Sequence, residues 1–262
     1  MNYPNGDIMK IKKDVYNSWL TKIPIAHRGL HNELYPENSL GAFKNAIDHG
    51  FAIETDVHIT TDSVIVIFHD DKLKRMTGKE GNIDEKSYDE IKDLKLLGGV
   101  NEKIPTLKEL LELVDGKVPL LIEIKDHNHK EIGKLEKPLT DMLRSYKGEY
   151  AIQSFNPYIV KWFKNNAPEI VRGQLASYFT SEFGKTFRGM MQRFVLRNCM
   201  LNGICGAEFT SYDTSFIGRR RVRSIRKKMP VLMWTVRSQN HLDKCKGLFD
   251  NVIFEGFIPD MD

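Results

Sequence analysis

Short apolar runs alternate along most of this chain with segments whose apolar residues recur every three or four positions. Runs of four to seven residues are typical of buried strands, and the longer period of the intervening segments predicts helices. The candidate strands are 23–26, 51–57, 64–68, 118–124, 149–153, 170–175, 204–209, 231–236 and 252–254. About eight strand–helix steps result, and 262 residues are enough for one such core. The pattern therefore predicts an α/β fold, a closed (β/α)8 barrel.

Residues that begin helices stand at the expected boundaries. Asn38 or Ser39 is the candidate N-cap of the helix after the first strand, and Thr106 begins a capping box. Asn156 precedes a proline, which is the preferred order of N-cap and first helical residue. These signals support the strand–helix alternation independently of hydrophobicity.

One stretch breaks the alternation, because about 48 residues separate the second strand from Thr106. It includes the run at 64–68 and a polar, lysine-rich segment at about 70–103, in which 88–97 has helical spacing. We interpret 70–103 as an insertion at the carboxyl edge of the barrel, where it would cap the site and select substrates. Residues 1–262 are then one domain with this insertion.

Four of the apolar runs end in polar residues of the types that catalyse reactions. The endings are His27-Arg28, Glu54-Thr55-Asp56, His69-Asp70 and Glu123-Ile124-Lys125. The carboxyl ends of parallel strands share one edge of a sheet or barrel, which is where active sites are built. The pattern predicts a metal-assisted hydrolase that acts on an anionic substrate.

Glu54 and Asp56 are two residues apart on a predicted strand, so their side chains share one face. Two adjacent inward carboxylates repel each other unless a cation or a proton lies between them. Mg²⁺ or Ca²⁺ prefers oxygen ligands, and Glu123 at the end of the next strand would complete a metal site. The alternative is that one of the pair points to solvent where the strand ends.

His27 and His69 are candidates for general base and general acid, because imidazole changes charge near neutral pH. Arg28 and Lys125 are candidates for phosphate binding, with bidentate contacts from the arginine and a point charge from the lysine. The alternatives are structural histidines, and salt bridges from the two cations to the neighbouring carboxylates.

Composition restricts the class of protein. A formal net charge of +4 does not predict a nucleic-acid binder. Three cysteines, an odd number confined to the C-terminal part, predict buried or free thiols and a reducing compartment. Residues 1–13 have no apolar core of the kind a secretory signal needs, and no apolar run approaches the ~20 residues of a membrane span. We expect a soluble, cytoplasmic protein.

The segment at 180–201 combines large apolar and basic residues at helical intervals. The apolar members are Phe183, Phe187, Met190, Met191, Phe194 and Val195, and the basic members are Lys185, Arg188, Arg193 and Arg197. The pattern favours a barrel helix that buries one apolar face. The alternative is a basic amphipathic surface for membrane lipid or for a partner.

Taken together, the polar motifs resemble those of the glycerophosphodiester phosphodiesterases. The matching motifs are Ala26-His-Arg-Gly29, Pro36-Glu-Asn-Ser39, Glu54-Thr-Asp56, His69-Asp70 and Glu123-Ile-Lys125. They occur in order between about residues 23 and 155, and the resemblance continues more weakly to the end. The combination is specific, although each fragment alone is common.

The resemblance implies a TIM barrel with an inserted segment after its second strand. It also implies a divalent metal on Glu54, Asp56 and Glu123, acid–base catalysis by a histidine pair, and phosphate contacts from the cations. Gln153-Ser-Phe155 is similar to the fourth-strand motif of the family, and Trp234-Thr-Val236 to its seventh-strand tryptophan, which implies substrate contacts from Gln153 and Trp234.

The implied reaction is hydrolysis of a glycerophosphodiester to glycerol 3-phosphate and an alcohol, with water or the substrate's 2-hydroxyl as the nucleophile. One alternative is lysophospholipase D activity on lysophospholipids, for which peripheral membrane contact is possible. Another is a non-catalytic barrel that binds phospholipid or a protein partner. The sequence leaves the oligomeric state open.

Overall fold

Strands and helices alternate through residues 15–126, 131–178 and 186–261, which are the residues that the computed structural model describes. The strands are β1 (Ile25–Ala26), β2 (Ala52–Ile59), β3 (Ile65–Ile67), β4 (Leu120–Ile124), β5 (Tyr150–Ser154), β6 (Arg172–Ala176), β7 (Phe209–Asp213), β8 (Val231–Val236) and β9 (Asn251–Phe254). The helices are α1 (Leu40–Asp48), α2 (Lys74–Thr77), α3 (Tyr88–Ile91), α4 (Leu107–Val114), α5 (Glu136–Ser145), α6 (Pro157–Asn166), α7 (Phe187–Arg197), α8 (Asn202–Cys205), α9 (Arg220–Arg226) and α10 (Gln239–Cys245). The expectations for 1–13, Phe183 and Lys185 concern residues outside these ranges.

The strands form one sheet in the order β1-β9-β8-β7-β6-β5-β4-β2-β3, with a further pairing between β1 and β2. In the unit Ile25–Ile152, β2 pairs in parallel with both β1 and β4. In the unit formed by 15–24 and 153–261, β6 to β9 pair in parallel with their successive neighbours. The order returns to its starting strand and leaves β3 outside the ring. The predicted TIM barrel is confirmed.

The third apolar run forms a strand, but it runs antiparallel to β2. Val57 pairs with Ile67 and Ile59 with Ile65, so β2 and β3 form a hairpin. The run therefore is not one of the parallel barrel strands, in agreement with its place in the stretch that breaks the alternation. The hairpin nevertheless returns the chain to the level of the carboxylates, because the Phe68 amide donates to the Asp56 carbonyl at 3.1 Å.

Another predicted strand is displaced along the chain. The run at 204–209 begins inside α8, which ends with Gly206 in a left-handed conformation (φ +72°), and β7 starts only at Phe209. β7 contains buried polar residues, which is why its hydrophobic pattern is weak. One of them, Thr210, accepts a hydrogen bond at Oγ1 from Asn202 Nδ2 at 2.8 Å. Side-chain hydrogen bonding thus places polar positions inside the sheet.

The helix-start signals are confirmed. Ser39, not Asn38, is the N-cap of α1, and its hydroxyl accepts from the Ala42 amide at 3.1 Å. Thr106 caps α4 in a complete capping box, and Asn156 accepts from the Tyr158 amide at the start of α6.

The segment between β3 and α4 has an apolar cluster of its own. Its buried members are Val66, Phe68, Leu73, Ile83, Ile91, Leu96 and Ile104. Most of the helical pattern at 88–97 is not helical, because α3 ends at Ile91. Leu96 is instead a buried member of the cluster and Leu94 packs against it, so the apolar spacing here reflects a folded loop.

The apolar residues of α7 face solvent, so the prediction that this helix buries its apolar face is wrong. Phe187, Met190, Met191 and Phe194 are 77%, 51%, 47% and 44% exposed, and within α7 only Gly189 is buried. The helical period correctly showed that α7 is amphipathic. The period alone does not show which face of the helix packs against the rest of the protein.

The three cysteines, Cys199, Cys205 and Cys245, are buried free thiols, as expected from their number and spacing. Burial raises the pKa of the Cys199 thiol to about 12. Within the described part of the chain, every helix is too short or too polar to cross a bilayer.

Candidate active site

Three carboxylates lie together at the ends of two neighbouring strands in the unit Ile25–Ile152. The parallel register places Asp56 of β2 beside Glu123 of β4, and Glu54 lies two residues earlier on the same face of β2. Glu54 and Asp56 are 1% exposed and Glu123 is 7% exposed. One ligand oxygen from each lies within 4.8 Å of the others. The interpretation that one carboxylate points to solvent is therefore wrong.

Mutual repulsion and burial shift the pKa values of these carboxyls in different directions. Burial, followed by the charges of Asp56 and Glu123, raises the pKa of Glu54 well above its usual value. Burial also raises the pKa of Glu123. Burial opposes ionisation of Asp56 as well, but Lys125, His69 and Arg28 outweigh it and lower the pKa of Asp56. The cluster attracts positive charge.

Lys125 supplies part of that positive charge. Its Nζ lies 2.6 Å from Glu123 Oε1 and 2.7 Å from Asp56 Oδ1, and the side chain is 13% exposed. Burial alone would lower the pKa of this ammonium, but Asp56 and Glu123 raise it overall. Lys125 therefore remains a cation next to the carboxylates.

Arg28 contacts the same cluster through its backbone and its side chain. Its amide donates to Glu54 Oε2 at 3.0 Å, which its left-handed backbone (φ +56°) permits. Its guanidinium donates to Glu37 Oε1 at 2.8 Å, and Nε lies 3.6 Å from Asp56 Oδ2. The salt bridges considered for Arg28 and Lys125 are thus both present.

Asn38 is a site residue that the sequence pattern suggested only as a helix cap. Its backbone is left-handed (φ +57°), and Nδ2 donates to Asp56 Oδ2 at 2.9 Å. Its own Oδ1 accepts from the Thr55 hydroxyl at 2.9 Å. The two hydrogen bonds fix the amide, so Asn38 orients the Asp56 carboxylate.

His69 is held by a second group of charges next to the cluster. Its Nδ1 lies 2.6 Å from Asp70 Oδ1, and Arg75 Nε donates to the other oxygen of Asp70 at 2.5 Å. Arg75 also donates to Glu37, which joins this group to Arg28. Despite partial burial, the hydrogen bonds from Arg75 and His69 lower the pKa of Asp70 to about 2. Asp70 is therefore an ionised partner that orients the ring of His69.

Arg75 and Glu37 were not predicted as site residues. Glu37 lies in the Pro-Glu-Asn-Ser motif, which was a usable signal, but no sequence pattern distinguishes Arg75 among the many basic residues near it.

The remaining predicted residues occupy two places. His27 is buried directly after β1, one residue before the amide that binds Glu54. Gln153 and Trp234 belong to the other unit, where Gln153 Oε1 accepts from the Ser211 hydroxyl at 2.7 Å. The Trp234 ring packs edge-on against Phe155, with ring centroids 5.6 Å apart.

The donor set fits a hard divalent cation. Three buried carboxylates offer only oxygen ligands, and when ionised they carry one more formal charge than Lys125 and Arg28 together supply. Such clusters suit Mg²⁺ or Ca²⁺, which bind carboxylate oxygens in preference to softer ligands.

Replacing Asn38 with glycine should lower kcat by about 10- to 100-fold, because glycine keeps the left-handed backbone but removes the amide that orients the Asp56 carboxylate. The measurement is steady-state hydrolysis of a glycerophosphodiester, the substrate class that the sequence motifs imply. Ser63 also has a positive φ (+66°), in the β2–β3 turn, so Ser63→Gly is the matched control and should leave kcat unchanged. Wild-type turnover in Asn38→Gly would restrict Asn38 to a backbone role.

Comparisons with known proteins agree with the geometry. The model of the glycerophosphoryl diester phosphodiesterase family matches residues 27–256. A glycerophosphodiester phosphodiesterase of Caldanaerobacter subterraneus is 38% identical over 162 residues, which cover 58% of this chain and 65% of that protein. A putative glycerophosphodiester phosphodiesterase of Bacillus subtilis is 29% identical over 86% of this chain and 90% of its own length.

A solved structure extends the likeness to the fold. The phosphodiesterase of Oleispira antarctica, in complex with the product sn-glycerol-3-phosphate, superposes with a TM-score of 0.75 at 25% identity. The match covers 90% of this chain and 94% of that one.

Proposed function

This chain belongs to the glycerophosphoryl diester phosphodiesterase family and is a phosphoric diester hydrolase, and from that premise we propose that it converts glycerophosphodiesters to glycerol 3-phosphate and an alcohol. The observation that carries the proposal is the buried cluster of Glu54, Asp56 and Glu123 beside two cations and a histidine–aspartate pair. The product bound to the Oleispira antarctica relative has the same chemistry as the proposed product.

Glu54, Asp56 and Glu123 would hold the divalent metal, Mg²⁺ or Ca²⁺, with Asn38 and Arg28 orienting two of these carboxylates. A divalent cation there supplies Lewis-acid polarisation of oxygens bound to it. Because burial and the charges of Asp56 and Glu123 raise the pKa of Glu54, a divalent ion bound there would also favour its ionised form.

His27 and His69 are the proposed acid–base pair. One removes a proton from the nucleophile, and the other gives a proton to the oxygen of the departing alcohol as its bond to phosphorus breaks. Asp70 accepts from Nδ1 of His69, which leaves Nε2 as the nitrogen that exchanges the proton. Arg75 keeps Asp70 ionised, so the ring orientation does not depend on pH near neutrality.

Arg28 and Lys125 would stabilise negative charge on the phosphoryl oxygens. The side chains of Arg28 and Lys125 are 16% and 13% exposed, so a phosphate could reach them. Both also form ion pairs with neighbouring carboxylates. Gln153 and Trp234 are proposed to contact the rest of the substrate, on the strength of the motifs in which they lie.

Removing metal should abolish the activity. We expect glycerol 3-phosphate release from glycerophosphocholine to fall by at least about 100-fold in EDTA and to return when Mg²⁺ or Ca²⁺ is added in excess, because three buried carboxylates then lose their shared cation. A coupled dehydrogenase assay, insensitive to EDTA by separate control, measures the product. Full activity in EDTA would contradict the proposal.

Lysophospholipase D activity is a second candidate. A rat lysophospholipase D is 34% identical over 138 residues, which cover 48% of this chain and 42% of that protein. Release of choline from lysophosphatidylcholine, with no release from glycerophosphocholine, would favour this candidate. Turnover of neither substrate with any divalent metal would favour a non-catalytic binding role.

A further inference from the structure

Helix α7 has a stripe of large apolar side chains that is exposed to solvent. Phe187, Met190, Met191 and Phe194 follow the spacing i, i+3, i+4, i+7, so they share one face of the helix. Between 44% and 77% of each residue is exposed. Exposed apolar patches of adjacent large side chains usually mark an interaction site.

Basic residues lie on both sides of this stripe. At about 100° per residue, Arg188 lies on one side of it and Arg197 on the other. The Arg197 guanidinium is 5.4 Å from the Phe194 ring centroid and 5.0 Å from that of Tyr178, which keeps its charge at the edge of the stripe. An apolar face bordered by arginines is typical of a helix that lies in a membrane interface.

A second basic helix is attached to the end of α7. Arg221 Nε of α9 donates to the Asn198 carbonyl at 2.7 Å, and the Arg219 guanidinium lies 4.5 Å from the Tyr178 ring centroid. Residues 186–228 contain ten arginines and lysines but only two acids, a formal net charge of +8, whereas the whole chain has +4. One of these acids, Glu208, is buried with Arg172. The positive charge is therefore concentrated in this segment of the chain, and Arg197 lies at the edge of the stripe itself.

We propose that α7, with the basic residues of α9 beside it, binds the surface of an anionic phospholipid bilayer. Phenylalanine and methionine side chains would enter the boundary between headgroups and acyl chains, and the arginines would contact lipid phosphates. A second copy of this chain is a poor occupant, because a symmetric contact would bring two segments of +8 together. Nucleic acid is also a poor partner, because it has no apolar layer into which Met190 and Met191 could insert.

The test is co-sedimentation of the full chain with sucrose-loaded vesicles, made from phosphatidylcholine alone or from an equimolar mixture with phosphatidylglycerol. We expect binding to the anionic vesicles, about tenfold or more weaker binding to the neutral ones, and weaker binding at high salt. Phe187→Ser/Phe194→Ser should lower the partition coefficient by about tenfold or more. Arg188→Glu should also weaken binding.

Two matched variants control for lost apolar surface and lost charge elsewhere. Val100 is 80% exposed, and the Lys108 side chain on α4 is 76% exposed. Val100→Ser and Lys108→Glu should bind vesicles as the unmodified chain does. Circular dichroism melting of every variant tests folding, and Met190→Ser/Met191→Ser is the second stripe variant if the phenylalanine pair does not fold.

The proposal is overturned if the chain does not bind anionic vesicles, or if a folded stripe variant binds them as well as the unmodified chain. It is also overturned if sedimentation equilibrium shows a dimer that the stripe variant dissolves, or if RNA binds in place of vesicles. These assays contain no glycerophosphodiester, so the result does not depend on the proposed catalytic function.

Discussion

His27→Gln and His69→Gln should each lower kcat for glycerophosphocholine by about 100-fold or more, because each removes one of the two proposed proton transfers. His69 is the better defined of the two, since Asp70 holds its Nδ1 at 2.6 Å and Arg75 holds Asp70. Glutamine keeps a polar side chain of similar length, so the loss should appear in kcat with little change in melting temperature. Steady-state kinetics with saturating metal measures it.

The leaving group can distinguish the acid from the base. An analogue of the substrate that releases p-nitrophenolate needs no proton on the departing oxygen, so the acid variant should recover most of its activity on this analogue. The base variant should remain impaired on both substrates. His49 is exposed at the end of α1, and His49→Gln is the control that should leave both rates unchanged. Near-normal turnover of glycerophosphocholine by both variants would refute the acid–base assignment.

The carboxylate cluster followed from the sequence through two simple periodicities. Residues two apart on a strand share a face, which placed Glu54 with Asp56, and adjacent parallel strands end at one edge, which placed Glu123 beside them. The structure brings the three together within 4.8 Å. Whether they hold a metal stays a prediction.

The residues that orient this cluster and His69 could not be derived in the same way. Asn38 reaches Asp56 only because its backbone is left-handed, and Arg75 meets Glu37 across 38 positions of sequence. Periodicity describes the spacing of residues within one element. It contains no information about side-chain contacts between a loop and a strand, which depend on the folded backbone.

Burial along α7 illustrates a different limit. The pattern that places Phe187, Met190 and Phe194 on one face is the same for a helix on a protein core and for a helix on a lipid surface. Only the neighbouring elements decide which face is covered. The tertiary structure was therefore needed to reject the interpretation of α7 as an ordinary barrel helix.

Lys125→Met should destabilise the metal-free protein by about 3–5 kcal/mol at neutral pH, because it leaves three buried carboxylates without the ammonium that lies within 2.7 Å of two of them. Urea unfolding in EDTA measures the free energy. Lys44→Met is the matched control: its exposed ion pair with Asp48 has the same short distance, 2.8 Å, and should contribute at most about 1 kcal/mol.

The destabilisation by Lys125→Met should depend on pH in a defined direction. In the unmodified protein Lys125 lowers the pKa of Asp56. The ionised Asp56 therefore stabilises the fold at pH values above the ordinary carboxyl pKa, and this stabilisation is lost as the pH falls through the pKa of Asp56 in the folded protein. Without the ammonium, the pKa values of Asp56 and Glu123 should be higher than in the unmodified protein. The native state of the variant should therefore bind more protons, and its loss of stability should grow as the pH rises.

The difference in unfolding free energy between Lys125→Met and the unmodified protein should therefore be larger at about pH 7 than at about pH 4. Excess Mg²⁺ or Ca²⁺ should recover part of it, because a cation that binds only the native cluster stabilises the fold by mass action. A variant as stable as the unmodified protein in EDTA at neutral pH would show that the carboxylates do not need this cation. A deficit of equal size at both pH values would assign the loss to packing of the lysine side chain and not to its charge.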